Sequence, residues 1–148
     1  MIMQSTTTEQ MGRIITTLVI TNRLDQGLAE RGLIPVDDVR TITLENVLVD
    51  TGATTLCLPA NVIAKLGLTL LKEVDVATAT GFSKARIFED AKITLGEREG
   101  TFECLELPGG TEPLLGVIPL EALGIELDLQ NQKLIVLPIS PNASYLRI

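Results

Sequence analysis

Thirteen residues, Val47-Leu48-Val49-Asp50-Thr51-Gly52-Ala53-Thr54-Thr55-Leu56-Cys57-Leu58-Pro59, constrain this chain more than any other part of it. Three apolar β-formers run into an acid, Thr-Gly-Ala follows at once, and a second apolar run ends at proline. An apolar run this short between turn signals reads as a buried strand. An acid at its end then sits at the edge of a core, where ionisation is costly unless something specific supports it. Gly52 removes a side chain just beyond the acid, so backbone amides can approach the carboxylate. Read locally, Asp50-Thr51-Gly52 also suits a plain strand-terminating turn.

Composition narrows the chemistry. A length of 148 residues suits one domain with a real core. Aromatics are only 3%, which leaves that core to Leu, Ile, Val and Ala. A formal charge of −7 argues against nucleic acid or an anionic membrane as partner, since both demand clustered Lys and Arg. The chain has 0 histidines, which excludes Ser–His and Cys–His pairs and every His-ligated metal site. Neither cofactor nor metal is expected, and any acid–base work falls to carboxylates. The two cysteines, Cys57 and Cys104, fall short of a disulfide framework. Cys57 alternates with Leu56 and Leu58 and reads as a buried, inert thiol; Cys104 carries no functional reading. With no secretory signal and no apolar run of membrane-spanning length, a cytoplasmic setting is expected.

Residues 1–10 read as a mobile tail, 11–139 as the folded domain and 140–148 as a C-terminal tail. Arg13–Thr21 reads as a strand, Asn22–Pro35 as a loop with a helical turn near Leu28–Arg31, and Val36–Val49 as β again. The adjacent Asp37 and Asp38, as strand neighbours, would point to opposite faces and could not share one atom. Pro59–Leu66 reads as a short helix, with Pro at its start and Gly67 past its end. Thr69–Thr80 and Lys84–Leu95 read as a hairpin around Gly81-Phe82-Ser83. Thr101–Leu107, the apolar Leu114-Leu115-Gly116, a helical turn at Pro119–Leu123, and a last hairpin, Ile125–Leu129 with Lys133–Ile139, complete the pattern. The fold class is mostly β, with short helices and several hairpins, and suggests a closed or sandwiched antiparallel barrel. A weak repeat relates Val47–Leu68 to Pro113–Leu127: apolar strand, glycine, short helix, then Leu-Gly with an apolar residue.

These pieces, in this order, resemble the retroviral-type (retropepsin-like) aspartic proteases, and more closely their single-domain prokaryotic relatives. Leu48-Val49-Asp50-Thr51-Gly52-Ala53 matches the active-site triplet with its apolar lead-in. Leu58-Pro59 to Lys65-Leu66-Gly67-Leu68 is similar to the segment after it, and Ala77–Ile93 stands where the flap hairpin belongs. Leu114-Leu115-Gly116 is similar to the element that crosses behind the active-site turn. Thr54 and Val117 occupy positions where viral members carry an ion pair, so both charges are absent together and neither is left unpaired.

The resemblance implies an acid-protease barrel and an endopeptidase in which Asp50 of each subunit of a homodimer meets its copy on the two-fold axis. One carboxylate, ionised, would take a proton from water; the other, protonated, would polarise the scissile carbonyl. Thr51 is then the residue bracing one active-site loop against the other, and Gly52 brings backbone N–H groups to the carboxylates. Ala53 and Thr54 fall beside the substrate, as do Thr80, Gly81 and Phe82 of the flap, which would exclude water during reaction. Ala53 offers no hydroxyl to an ionised acid, so the activity optimum is expected to be less acidic than where Ser or Thr stands there. An extended peptide or protein would be the substrate, gripped as an added strand in aliphatic pockets.

Two other classes compete. The Asp50 turn also looks like the phosphate loop of actin-like kinases, but 148 residues leave no room for two lobes around a nucleotide; the acid spacing of haloacid-dehalogenase-type phosphatases does not fit. A catalytically silent retropepsin-like dimer serving as a protein-binding module remains open, because fold does not fix function.

Overall fold

A computed structural model describes Ile2–Met3, Thr6–Thr7 and residues 13–138. The expected tail at 140–148 lies outside the described residues. Within the expected N-terminal tail, Ile2–Met3 (β1) and Thr6–Thr7 (β2) form strand pairs. The chain continues through β3 (Ile14–Asn22), α1 (Arg23–Glu30), a 3-10 turn at Val36–Asp38, β4 (Thr41–Val49), β5 (Leu56–Pro59) and α2 (Ala60–Leu66). It then forms β6 (Thr69–Thr78), β7 (Gly81–Leu95), β8 (Arg98–Leu107), β9 (Leu114–Leu115), α3 (Val117–Ala122), β10 (Ile125–Asp128) and β11 (Lys133–Val136). The mostly-β expectation holds.

Strands β2-β3-β4-β9-β5-β8-β7-β6 make one sheet, and β3 also pairs with β7, so the pairing returns on itself. Strands β1-β11-β10 form a second, smaller sheet. The expectation of an antiparallel sheet is corrected: β4–β9 and β5–β8 are parallel. Parallel partners need long connections between them, and here each pair is separated by several intervening elements.

Strand register sorts the side chains into two rows. Ile14, Val49, Leu115, Leu56, Cys104 and Phe88 are successive cross-strand partners from β3 to β7. All six are buried and belong to the hydrophobic core. One residue along, Ile15, Leu48, Leu114, Cys57, Leu105 and Ile87 form a second row on the opposite face. In this second row Leu48, Leu114 and Leu105 are only half-buried.

Three readings along the chain are revised. Asn22–Pro35 is not chiefly a loop, because Arg23–Glu30 is helical. That helix buries only Asp25, so no apolar stripe announces it. It is held by polar groups. Asn22 Oδ1 accepts from Asp25 N–H at 3.0 Å, and Asn22 Nδ2 donates to the Leu66 carbonyl at 2.7 Å. Asp25 in turn accepts from Arg40 Nε at 2.8 Å, Nη2 at 3.0 Å and backbone N–H at 3.1 Å. Asp37 and Asp38 lie in the 3-10 turn and not in a strand, so alternation does not govern where they point. The helix expected over Pro59–Leu66 begins one residue later, and Gly67 ends it in the left-handed conformation (φ 63°).

Candidate active site

Asp50 follows the last residue of β4 and is half-buried. Its backbone N–H donates to the Leu115 carbonyl at 3.0 Å, which docks the strand end on β9. The turn then closes on itself. Ala53 N–H donates to the Asp50 carbonyl at 3.1 Å, and Gly52 N–H donates to Asp50 Oδ1 at 2.8 Å. The Asp50 side chain therefore accepts a hydrogen bond from the amide that the sequence pointed to.

The far side of the turn is tied to α3. Val117 N–H donates to the Ala53 carbonyl at 3.0 Å and Ile118 N–H to the Thr54 carbonyl at 2.9 Å. The first amides of a helix lack partners within it; here the turn supplies them. Gly116 makes this approach possible, since a Cβ there would fall 2.5 Å from the Thr55 carbonyl oxygen and 2.6 Å from that of Ala53. Thr55 Oγ1 donates to the Glu103 carbonyl at 3.2 Å and carries the connection on to β8.

Asp50, Thr51, Gly52, Ala53 and Thr54 are thus gathered in one turn, with Thr51, Gly52 and Thr54 exposed and Ala53 half-buried. Thr80, Gly81 and Phe82 stand apart, all exposed, at the tip of the β6–β7 hairpin. There Thr78 Oγ1 donates to the Gly81 carbonyl at 2.8 Å. The hairpin has two unlike faces. Val74, Val76 and Ala85 are half-buried and continue the face of Ile87. Glu73, Asp75 and Ala77 pair with Arg86, Lys84 and Phe82 on the other face, where Phe82 is 81% exposed. Phe82 therefore lies on the hairpin face opposite to the aliphatic one.

Cys57 belongs to the same row as Leu48 and Leu114. Burial, then the charge of Asp50, pushes its thiol up to about 11. Cys104, in the core row, is pushed up to about 12 by burial, with Cys57 and Glu106 adding to it. At the root of the hairpin, Arg86 donates to Glu106 through Nε at 2.9 Å and Nη2 at 2.8 Å, and its guanidinium lies 5.2 Å from the Phe88 ring centroid. Those hydrogen bonds hold the Glu106 carboxyl below its ordinary range, against the opposing effect of burial. Among the described residues no group of three or more His, Cys, Asp or Glu is placed to hold a metal, and no helix is long and apolar enough to cross a membrane.

The sequence reading missed the row that flanks the acid. Leu48 was within reach, standing two residues before Asp50 and hence on its face of the strand. Leu114, Cys57, Leu105 and Ile87 join it only through register. The ion pair of Arg13 with Glu112 spans 99 positions of sequence and gave no signal.

Comparison with known proteins agrees with this geometry. No curated protein matches the chain. The model of one family, described as gag-polyprotein putative aspartyl protease, matches residues 43–122, which take in most of β4, the Asp50 turn, the hairpin, β9 and α3. With more than half of its length matched, the chain belongs to that family of retropepsin-like aspartyl proteases.

Proposed function

We propose that the protein is an aspartic endopeptidase that acts as a homodimer, each subunit contributing one Asp50 to a shared site. The observation that carries this reading is the Asp50 carboxylate itself: half-buried at a strand end, bonded by Gly52 N–H, and braced from behind by β9 and α3. A turn fixed on both sides holds its acid in place before substrate arrives, which is the condition for efficient acid–base work. The return of strand pairing from β7 to β3 supports a closed barrel as the scaffold.

A lone carboxylate cannot both take a proton from water and donate one to a carbonyl. Two of them about one axis can, because like charges so close favour a single shared proton. The ionised member deprotonates the attacking water, the protonated member gives its proton to the carbonyl oxygen, and the tetrahedral intermediate collapses with proton transfer to the leaving amine. Thr51, Gly52, Ala53 and Thr54 line the turn beneath the peptide, while Thr80, Gly81 and Phe82 form the tip of a flap above it. The aliphatic hairpin face of Val74, Val76 and Ala85 faces the peptide, with Phe82 on the outer side.

The test is cleavage of an unstructured peptide library by the purified protein, alongside Asp50→Asn, with sedimentation of both. A cleaving dimer whose Asp50→Asn variant is dimeric and inert supports the reading. A strict monomer, or equal cleavage by both proteins, overturns it. A dimer that binds peptides and cleaves none is the outcome that favours a binding module.

A further inference from the structure

A groove runs along helix α1 at the end of the large sheet remote from Asp50. It follows a cross-strand row, Thr41 of β4, Thr21 of β3, Lys92 of β7 and Thr101 of β8, each the register partner of the next. The adjacent row, Ile42, Ile20, Ile93 and Gly100, belongs to the opposite face, where Ile20 and Ile93 are fully buried in the core. Thr41 opens β4 and Asp50 follows its end, roughly 30 Å away along the strand.

The groove has two adjoining compartments, both lined by Gln26 and Glu30 of α1. One, of about 410 Å³, is bounded by Ala29, Val36 and Val39 with Thr21 and Thr41. Val36 is 76% exposed there, a large apolar side chain left in water. The other, of about 260 Å³, carries four charges of balanced sign: Arg23 with Glu30 at 3.0 Å, and Lys92 with Glu99 at 3.4 Å. These pairs do not account for the helix, which Asn22, Asp25 and Arg40 already hold, and exposed pairs contribute little to stability. Lys92 stands out. Only 17% of its side chain is exposed. Its ammonium has three N–H donors and meets two partners among the described residues, Gln26 Oε1 at 3.2 Å and Glu99, itself 58% exposed.

We propose that this groove binds a zwitterion with an aliphatic side chain: a free amino acid such as leucine, or a short peptide with both ends uncapped. Its carboxylate takes donors of Lys92 and Arg23, and its ammonium lies against Glu30 and Glu99. Its side chain fills the compartment of Ala29, Val36 and Val39. A lone anion or cation entering the charged compartment competes with one member of an ion pair and leaves the other uncompensated. A zwitterion brings one charge of each sign and keeps the balance. Covering Val36 adds an apolar gain. The two volumes are on the scale of small-molecule sites, roughly 300–1,000 Å³. The proposal is independent of the endopeptidase reading. None of these residues belongs to the Asp50 turn or the hairpin tip, and those from Thr21 to Thr41 precede the matched stretch 43–122.

Titration calorimetry of the full chain with L-leucine and with leucyl-leucine measures binding, and amide shifts in the NMR spectrum locate it. At least one of the two is expected to bind in the millimolar range or tighter, shifting the amides of Gln26, Ala29, Val39 and Thr101. The tighter of the two identifies the source, free amino acid or peptide. Glycine is expected to bind about tenfold more weakly for want of a side chain. Isocaproate, isopentylamine and N-acetyl-leucinamide, which lack one charge or both, lose about as much. Lys92→Met and Glu30→Gln are each expected to weaken binding of the tighter ligand about tenfold. No binding of either compound well above the millimolar range overturns the proposal, and so does equal binding of N-acetyl-leucinamide. Amide shifts confined to Gly52 and Ala53 also overturn it, since they place the ligand at the Asp50 turn. Asp50→Asn is expected to bind as the wild type does, so loss of hydrolysis leaves this site standing. Should Lys92→Met fail to fold, Glu30→Gln decides, its side chain being 60% exposed: unchanged affinity there overturns the proposal.

Discussion

The amide of Val117 and the carbonyl of Ala53, 64 residues earlier in the chain, lie 3.0 Å apart and bind the start of α3 to the turn that carries Asp50. This contact depends on Gly116, whose place beneath the turn leaves no room for a methyl group: a Cβ would also come within 2.7 Å of Thr55 N. Gly116→Ala is expected to destabilise the fold by about 1–3 kcal/mol, the usual cost of overpacking. Because the displaced atoms belong to the site, peptide cleavage should fall further than stability alone explains. Urea unfolding at neutral pH, with cleavage measured well below the transition, checks both parts.

The strand behind the turn gives a companion prediction. Leu115 is fully buried between the two β-segments flanking Asp50, paired with Val49 on one side and Leu56 on the other. Leu115→Ala leaves a cavity there and should cost about 2–5 kcal/mol. The same urea titration measures it. A cost under 1 kcal/mol would mean the core collapses around the site more readily than its packing suggests.

Asp25 links stability to pH. Hydrogen bonds from Arg40 hold its carboxyl below the ordinary 3.8, against the opposing effect of burial. A carboxyl lowered by folding stabilises fully above its unfolded value, and that contribution disappears as pH falls through the lower folded value. Asp25→Asn should therefore cost about 1–3 kcal/mol at neutral pH, since it weakens bonds to a charged partner, and progressively less below about pH 4. Unfolding free energies of both proteins between pH 3 and 7 test this; a gap that widens on acidification contradicts it.

Both thiols should be unreactive in the folded protein. With Cys57 at about 11 and Cys104 at about 12, very little thiolate exists at pH 8. Alkylation by iodoacetamide at pH 8 is expected to be at least a hundredfold slower than in urea, on the scale of the lost thiolate fraction. Mass spectrometry at timed intervals reads it site by site, and rapid labelling of native Cys57 would mean that its row opens to solvent.

The strongest local signals proved to be the ones backed by backbone chemistry. The Asp50 turn and the glycine ending α2 are written in residues whose conformations or hydrogen bonds leave few alternatives, whereas the β6–β7 hairpin turns at Ala79-Thr80 and takes the expected connection Gly81-Phe82-Ser83 into β7. Helix α1 is not so written, because it owes its place to Asn22, Asp25 and Arg40, polar residues whose pairing reaches across 44 positions, from Asn22 to Leu66. The parallel pairs β4–β9 and β5–β8 were hidden for a related reason: short apolar runs such as Leu114-Leu115 show that they are buried and not beside what. The row Leu48, Leu114, Cys57 emerges only when those pairings are known, and with it the surroundings of the acid.

The hairpin has one further consequence. β8 pairs with β7 only from Ile87 onward, so Gly81–Arg86 is paired on one side alone, with β6. Arg86 and Glu106 rivet the structure at that limit, while Lys84 and Asp75, 2.9 Å apart, travel together on the overhang. The result is a cantilever of six residues, roughly 20 Å long, with its fulcrum at Arg86. A bend at that point would displace the tip most, and the face of Val74, Val76 and Ala85 would move with it, because β6, which pairs with Gly81–Arg86, belongs to the same overhang.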